Sequence, residues 1–198
     1  MTTPSVPVAA ATPSAATATR RKATRSRLLL VALGGAALLS GLDAALVRLE
    51  VWAPVASERV GDVHGQVMVL GFLGTLISLE RAQSLGRAWG YLAPALFGAG
   101  ALALVSPAPL LLGQLLHVEA GLLFLAVYVA LWRRAPRPLV AVQVLSAVLA
   151  LGGAVVALLV DVPSALPWLA GFVVVTIAAE RAELAALVMG PRADRWVL

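Results

Sequence analysis

A chain of 198 residues with 61% hydrophobic and only 13% charged residues, and a mean hydropathy of +0.93, lies far from soluble proteins, in which charged residues alone make up about a quarter. That balance excludes a water-soluble globular domain, and the lack of cysteine excludes disulfides, thiolate metal sites, iron-sulfur clusters and covalent c-type haem attachment. The net charge of +5 does not imply a nucleic-acid partner, because the basic residues occupy short junctions and one tail rather than a stripe; the expected partner is the lipid bilayer.

Residues 1–27, rich in Ala, Thr, Ser and Pro, end in Arg20, Arg21, Lys22, Arg25 and Arg27 and are predicted to be a disordered, basic, cytoplasmic tail. The Arg20-Arg21 pair lacks the apolar residues that complete a twin-arginine signal, so the first helix reads as an uncleaved anchor. A membrane-spanning helix takes about 20 residues. Windows of that length fit at 28–47, 64–85, 88–105, 109–132, 139–160 and 165–189. The expected fold is thus an all-α integral membrane bundle of six transmembrane helices over 28–189, followed by a short cytoplasmic tail at 190–198. Eleven basic residues fall on one side of these spans (the five of the tail, Arg87, Arg133, Arg134, Arg137, Arg192 and Arg195), against Arg59 and Arg48 on the other. By the excess of positive charge on the inner side, both termini are cytoplasmic in a bacterial plasma membrane. Pro94 is expected to kink the third span. Trp52, Trp89, Trp132, Trp168 and Trp196 fall near helix ends and read as interface anchors. Gly34, Gly35, Gly98, Gly100, Gly152 and Gly153 read as close helix contacts.

The segment 71–82, GFLGTLISLERA, returns at 171–182 as GFVVVTIAAERA, with six identities in twelve positions. A step of four helices keeps both members running in the same direction, so the pattern suggests a parallel repeat. Charges within lipid are costly and usually face partners or water. The matched pairs Glu80-Arg81 and Glu180-Arg181 are therefore expected to bind reciprocally, Glu80 to Arg181 and Glu180 to Arg81. Two readings stay open for this intramembrane charge network. It is interhelix glue, or, with Glu183 one turn beyond Glu180, it is an ion or proton path.

His64 opens the second span, and Met68, Gly71, Thr75 and Ser78 follow it on one face as a stripe suited to a flat cofactor or to a close helix neighbour. His117 lies inside the fourth span, with Gln114, Gly121 and Tyr128 on its face and Glu119 nearby. Two inward histidines on separate helices are the minimum for bis-histidine haem, but helix rise places these two about 10 Å apart in depth. The alternatives are an interfacial His64 and a hydrogen-bonded packing role for His117. Asp43 is placed to orient a histidine or to reach the outer interface. The sequence shows no nucleophile-base pair and no phosphate loop, so catalysis is not expected.

His64, Met68, Gly71 and Phe72 together resemble the NnrS family of polytopic membrane proteins, in which a helix opens on histidine with Met, Gly and Phe four, seven and eight positions later. That family is associated with haem, copper and bacterial responses to nitric oxide, and its helix arrangement is similar to the catalytic subunit of haem-copper oxidases. The resemblance implies His64 as ligand to haem b or copper, with Met68 behind it and His117 as a further cofactor candidate. Where the family carries a second histidine and a glutamate, this chain has Gln66 and Val67. Family members have about twice as many spans, which implies a half-length relative that pairs with a second membrane half or forms a homo-oligomer.

Overall fold

A computed structural model describes residues 15–52, 54 and 58–189, with side chains described within 24–52, 54 and 59–185. The elements are α1 (Ala15–Arg48), a short α2 (Glu58–Asp62), α3 (His64–Gln66), a π-helical segment (Val67–Gly74), α4 (Thr75–Leu85), a 3-10 turn (Ala88–Tyr91), α5 (Leu92–Val105), α6 (Leu110–Arg134), α7 (Pro138–Leu159) and α8 (Val162–Met189). No strand occurs among the described residues. Five helices are long and apolar enough to cross a membrane: Thr24–Arg48, Ala88–Val105, Leu110–Arg134, Pro138–Leu159 and Val162–Ala185. The chain is an all-helical, multi-pass membrane protein.

The second predicted span, 64–85, is helical throughout but not uniformly wound, since the π-helical segment separates α3 from α4. Two hydroxyls in α4 bond back into this segment, Thr75 Oγ1 to the Gly71 carbonyl and Ser78 Oγ to that of Gly74, a pattern that loosens and bends helices. Gly71 and Gly74 lie flush against α5: a Cβ on Gly71 would stand 2.5 Å from that of Ala101, and one on Gly74 would press on the Phe97 ring. The run ends at Gly86, whose φ of 69° favours glycine and lets its N–H bond the Ala82 carbonyl at 3.0 Å.

Several expectations are revised by these boundaries. α1 begins at Ala15, so Arg20, Arg21 and Lys22 are wound into a helix rather than belonging to a disordered tail; Ala, Arg and Lys are strong helix formers. Residues 1–14 and 190–198, including Trp196, Arg192 and Arg195, lie outside the described residues. Pro94 falls in the first turn of α5, where a missing N–H costs no intrahelical bond, so there is no physical reason for a kink.

Helical run 64–85 is the hub of the bundle. It packs against α1, α5 and α6 and also touches α7 and α8, whereas α8 packs chiefly on α7. The core is made of small alanines and a connected set of rings. Phe97 meets His117 and Phe124 at 6.0 Å, and Phe124 meets Tyr128 at 4.8 Å and Phe172 at 6.2 Å, with edge-to-face geometry at Phe97 and Phe172. Five of the six singled-out glycines sit in close contacts: Gly34 against Leu76, Gly98 against Leu33, Gly100 against His117, Gly152 against the Trp168 ring and Gly153 against Leu169. Gly35 faces open space. Trp52 and Trp132 are exposed, Trp89 is half-buried, and Trp168 lies partly over α7.

Candidate functional site

The charge network forms where α4, α6, α7 and α8 meet. Arg81 Nη2 binds Glu180 Oε1, and its Nη1 lies 3.5 Å from Glu183 Oε2. Glu80, the preceding residue, also approaches Nη2 at 3.5 Å. From α7, Gln143 Nε2 donates to Glu183 Oε2 at 3.1 Å, and from α6 the Tyr128 ring lies under the guanidinium, 5.9 Å from its carbon. The Arg81 side chain is 7% exposed, while Glu180, Glu183 and Glu80 are 33%, 45% and 61% exposed. The cation is therefore the deepest member, and the carboxylates lead from it toward the exterior of the bundle. A guanidinium at this depth needs such partners, because burying a charge without them costs several kcal/mol.

The reciprocal pairing expected from the repeat forms on one side only. Glu180 binds Arg81, but Glu80 turns to its own neighbour, and Arg181 is exposed and carries no ion pair among the described residues. Glu183, expected on the same face as Glu180, is in the network. Gln143 and Tyr128 were not singled out as members. For Gln143 a signal was available, since Gln143 and Ser146 are isolated polar residues one turn apart in an apolar helix.

The histidines do not converge on a common space. His117 is fully buried, and both its ring nitrogens are engaged: Nε2 lies 3.0 Å from the Phe97 carbonyl and Nδ1 3.1 Å from Gln66 Nε2. A carbonyl and an amide NH2 at these distances fix the neutral tautomer, with Nε2 donating and Nδ1 accepting. Neither nitrogen retains a lone pair for a metal. Gln66 is the partner, rather than Gln114, which donates to the Ala157 carbonyl at 3.0 Å.

His64 faces α1 instead, where its Nδ1 donates to the Gly41 carbonyl at 2.8 Å. Met68 covers the same glycine, its sulfur standing where a Cβ on Gly41 would go. The stripe below His64 thus admits a close helix neighbour rather than a flat cofactor. A groove of about 440 Å³ between α1, α2 and α5 is lined by Leu39, Leu42, Leu46, Val60, Val105 and Asp43 among others, and by neither histidine. No group of three or more metal-ligating side chains occurs among the described residues. The pair His64 and His117 does not fit a bis-histidine haem.

Fold and site together define a multi-pass membrane protein with a buried guanidinium held by carboxylates of two helices. The chain belongs to the family described as "Domain of unknown function (DUF8744)", whose model matches residues 27–198. No curated protein and no solved structure matches it.

Proposed function

We propose that the protein is a non-redox, six-helix component of the bacterial plasma membrane, with both termini cytoplasmic, that carries a small solute or ion through the Arg81, Glu180 and Glu183 cluster. The run 64–85 supplies the sixth crossing, since its 22 residues at 1.5 Å rise are about 33 Å long. Arg87, Arg133, Arg134 and Arg137 lie at the same end of the bundle as the cluster and set that end inside. The observation that carries the reading is Arg81 itself. A guanidinium 7% exposed, bound to carboxylates of a neighbouring helix that reach the exterior of the bundle, is the arrangement by which intramembrane charges mark a pathway. Purified protein in liposomes is expected to pass protons, alkali cations or small organic ions, and Glu183→Gln to abolish that flux. Flux untouched by Glu183→Gln, or no flux of any of these species from the parent protein, overturns the carrier reading and leaves the cluster as assembly glue.

A second reading has one specific observation in its favour. With Nδ1–H held by the Gly41 carbonyl, His64 presents Nε2 as a free lone pair, the tautomer used by metal-binding histidines. An NnrS-like module would place haem b or copper on that nitrogen. The visible spectrum of detergent-purified protein decides it. A Soret band or bound copper that disappears in His64→Ala supports the module, and colourless, metal-free protein removes it.

A further inference from the structure

Helix α6 sends its polar side chains in opposite directions. His117 and Gln114 face inward, where Gln66 and the carbonyls of Phe97 and Ala157 satisfy them. Glu119 lies two residues from His117, about 200° around the helix axis, and is exposed. It has no hydrogen bond and no ion pair among the described residues. Its depth makes that exposure costly. α6 runs from Leu110 to Arg134, about 38 Å, and so overhangs a hydrocarbon core of about 30 Å by about 4 Å at each end. Glu119 comes about 14 Å after Leu110 along the axis, which puts it about 10 Å below the nearer boundary. A carboxylate on two methylene groups is too short to reach headgroups or water from there. Charges within a bilayer almost always face the protein interior or a water-filled cavity, and Glu119 turns away from the interior.

The face around Glu119 is apolar and regular. Leu112, Leu115, Glu119, Leu122 and Ala126 follow one another in alternating steps of three and four residues, and all five are exposed. That spacing is the seam along which helices pack as left-handed pairs, here about 21 Å long, and a polar residue at one core position of such a seam sets the partner's register. A parallel second copy does not supply what Glu119 lacks, because it brings a like charge to the same depth. Its cations lie at other levels. Arg181 adjoins Glu180 at the level of Tyr128, about 14 Å further in, and Arg59 is bound to the Ala108 carbonyl at the outer end of α6.

We propose that this face of α6 docks a transmembrane helix of a different membrane protein, one that carries a lysine or arginine near mid-depth to pair with Glu119. The leucines supply the packing surface, and the ion pair selects the partner and fixes its register. The Arg81 cluster lies on the other side of α6, so this interface is independent of the carrier reading.

The test uses the full chain in phosphatidylcholine liposomes. The chain has no cysteine, so one cysteine appended to the C-terminus carries a fluorophore. The probes are two labelled synthetic leucine-alanine helices of about 23 residues, identical except for lysine or leucine at the midpoint. A midpoint lysine meets the level of Glu119 whichever way the helix inserts. Energy transfer is expected with the lysine helix and not with the leucine helix, and Glu119→Leu weakens it about tenfold, the order expected of one polar contact between helices in lipid. Leucine suits a lipid-facing position, so the melting temperature of the variant stays at or above that of the parent. Comparing the two helices on the parent protein needs no variant at all. Binding of neither helix, equal binding of both, or lysine-helix binding unchanged by Glu119→Leu overturns the proposal. Energy transfer between donor- and acceptor-labelled copies of the protein that Glu119→Leu abolishes also overturns it, since a second copy then occupies the face.

Discussion

The segments 71–82 and 171–182 share six residues at matched positions, and the bundle uses almost every matched pair differently. Arg81 is buried among carboxylates, while Arg181 is exposed. Glu180 binds Arg81 from a neighbouring helix, while Glu80 is mostly exposed and reaches only its own neighbour. A Cβ on Gly71 would collide with Ala101, while one on Gly171 meets only the Leu149 methyls at ordinary contact distance. Only the phenylalanines reverse the order, with Phe172 fully buried and Phe72 partly so. The difference follows from position. The first segment lies on the hub of the bundle and the second on a helix that packs chiefly on one neighbour, so the same residue meets protein in one case and the exterior in the other.

Substitutions made in pairs test that contrast through the melting temperature of the detergent-solubilised protein. The largest effect is expected at the phenylalanines, where Phe172→Ala opens a cavity among Phe124 and its neighbours and costs about 3–5 kcal/mol, with Phe72→Ala costing less. Equal losses at the two positions would erase the difference in burial. Next comes Arg81→Ala, which strands two half-buried carboxylates and should cost about 3 kcal/mol, against about 0.5 kcal/mol or less for Arg181→Ala. Comparable losses would mean that Arg181 has a partner the bundle does not show. Gly71→Ala forces apart α5 and the π-helical segment at about 1–3 kcal/mol, whereas Gly171→Ala is neutral or stabilising by up to about 1 kcal/mol, as for glycine replaced within a helix. A destabilised Gly171→Ala would place an unseen neighbour there. The smallest pair is Glu180→Gln, which weakens one arm of the Arg81 clamp by about 1 kcal/mol, against no measurable change for Glu80→Gln. Identical curves for these two would show that the clamp rests on Glu183 and Gln143 alone.

The helical membrane fold was legible because lipid forces apolar runs of a set length, and the runs are unbroken. What lay beyond reach was rotation about each helix axis. Spacing put Glu180 and Glu183 on one face and the repeat paired Glu180 with Arg81, but neither could say that the matching face around Arg181 looks outward. The stripe from His64 to Ser78 was legible as small and polar, and both a cofactor and a helix suited it. Gly41, Ala37 and Ala101 on neighbouring helices pack against it, and nothing local in the sequence points to them. Gln66 was noticed only as a departure from a resemblance, yet it is the residue that holds His117. Glycines whose role is close approach could be listed in advance, but the open space at Gly35 shows that composition alone does not say which of them are needed.

The π-helical segment has a further consequence for the lineage of this chain. Such a segment behaves as an α-helix that has accepted an inserted residue, and one residue turns everything beyond it by about 100°. Gln66 before the segment faces α6, and Arg81 after it faces α8. A deletion anywhere within 67–74 would let the rod close into an ordinary α-helix and swing Arg81 out of reach of Glu180, leaving Gln66 on His117. Gene variants that shorten this stretch by one codon should therefore keep the end of the bundle around His117 and lose the end around Arg81.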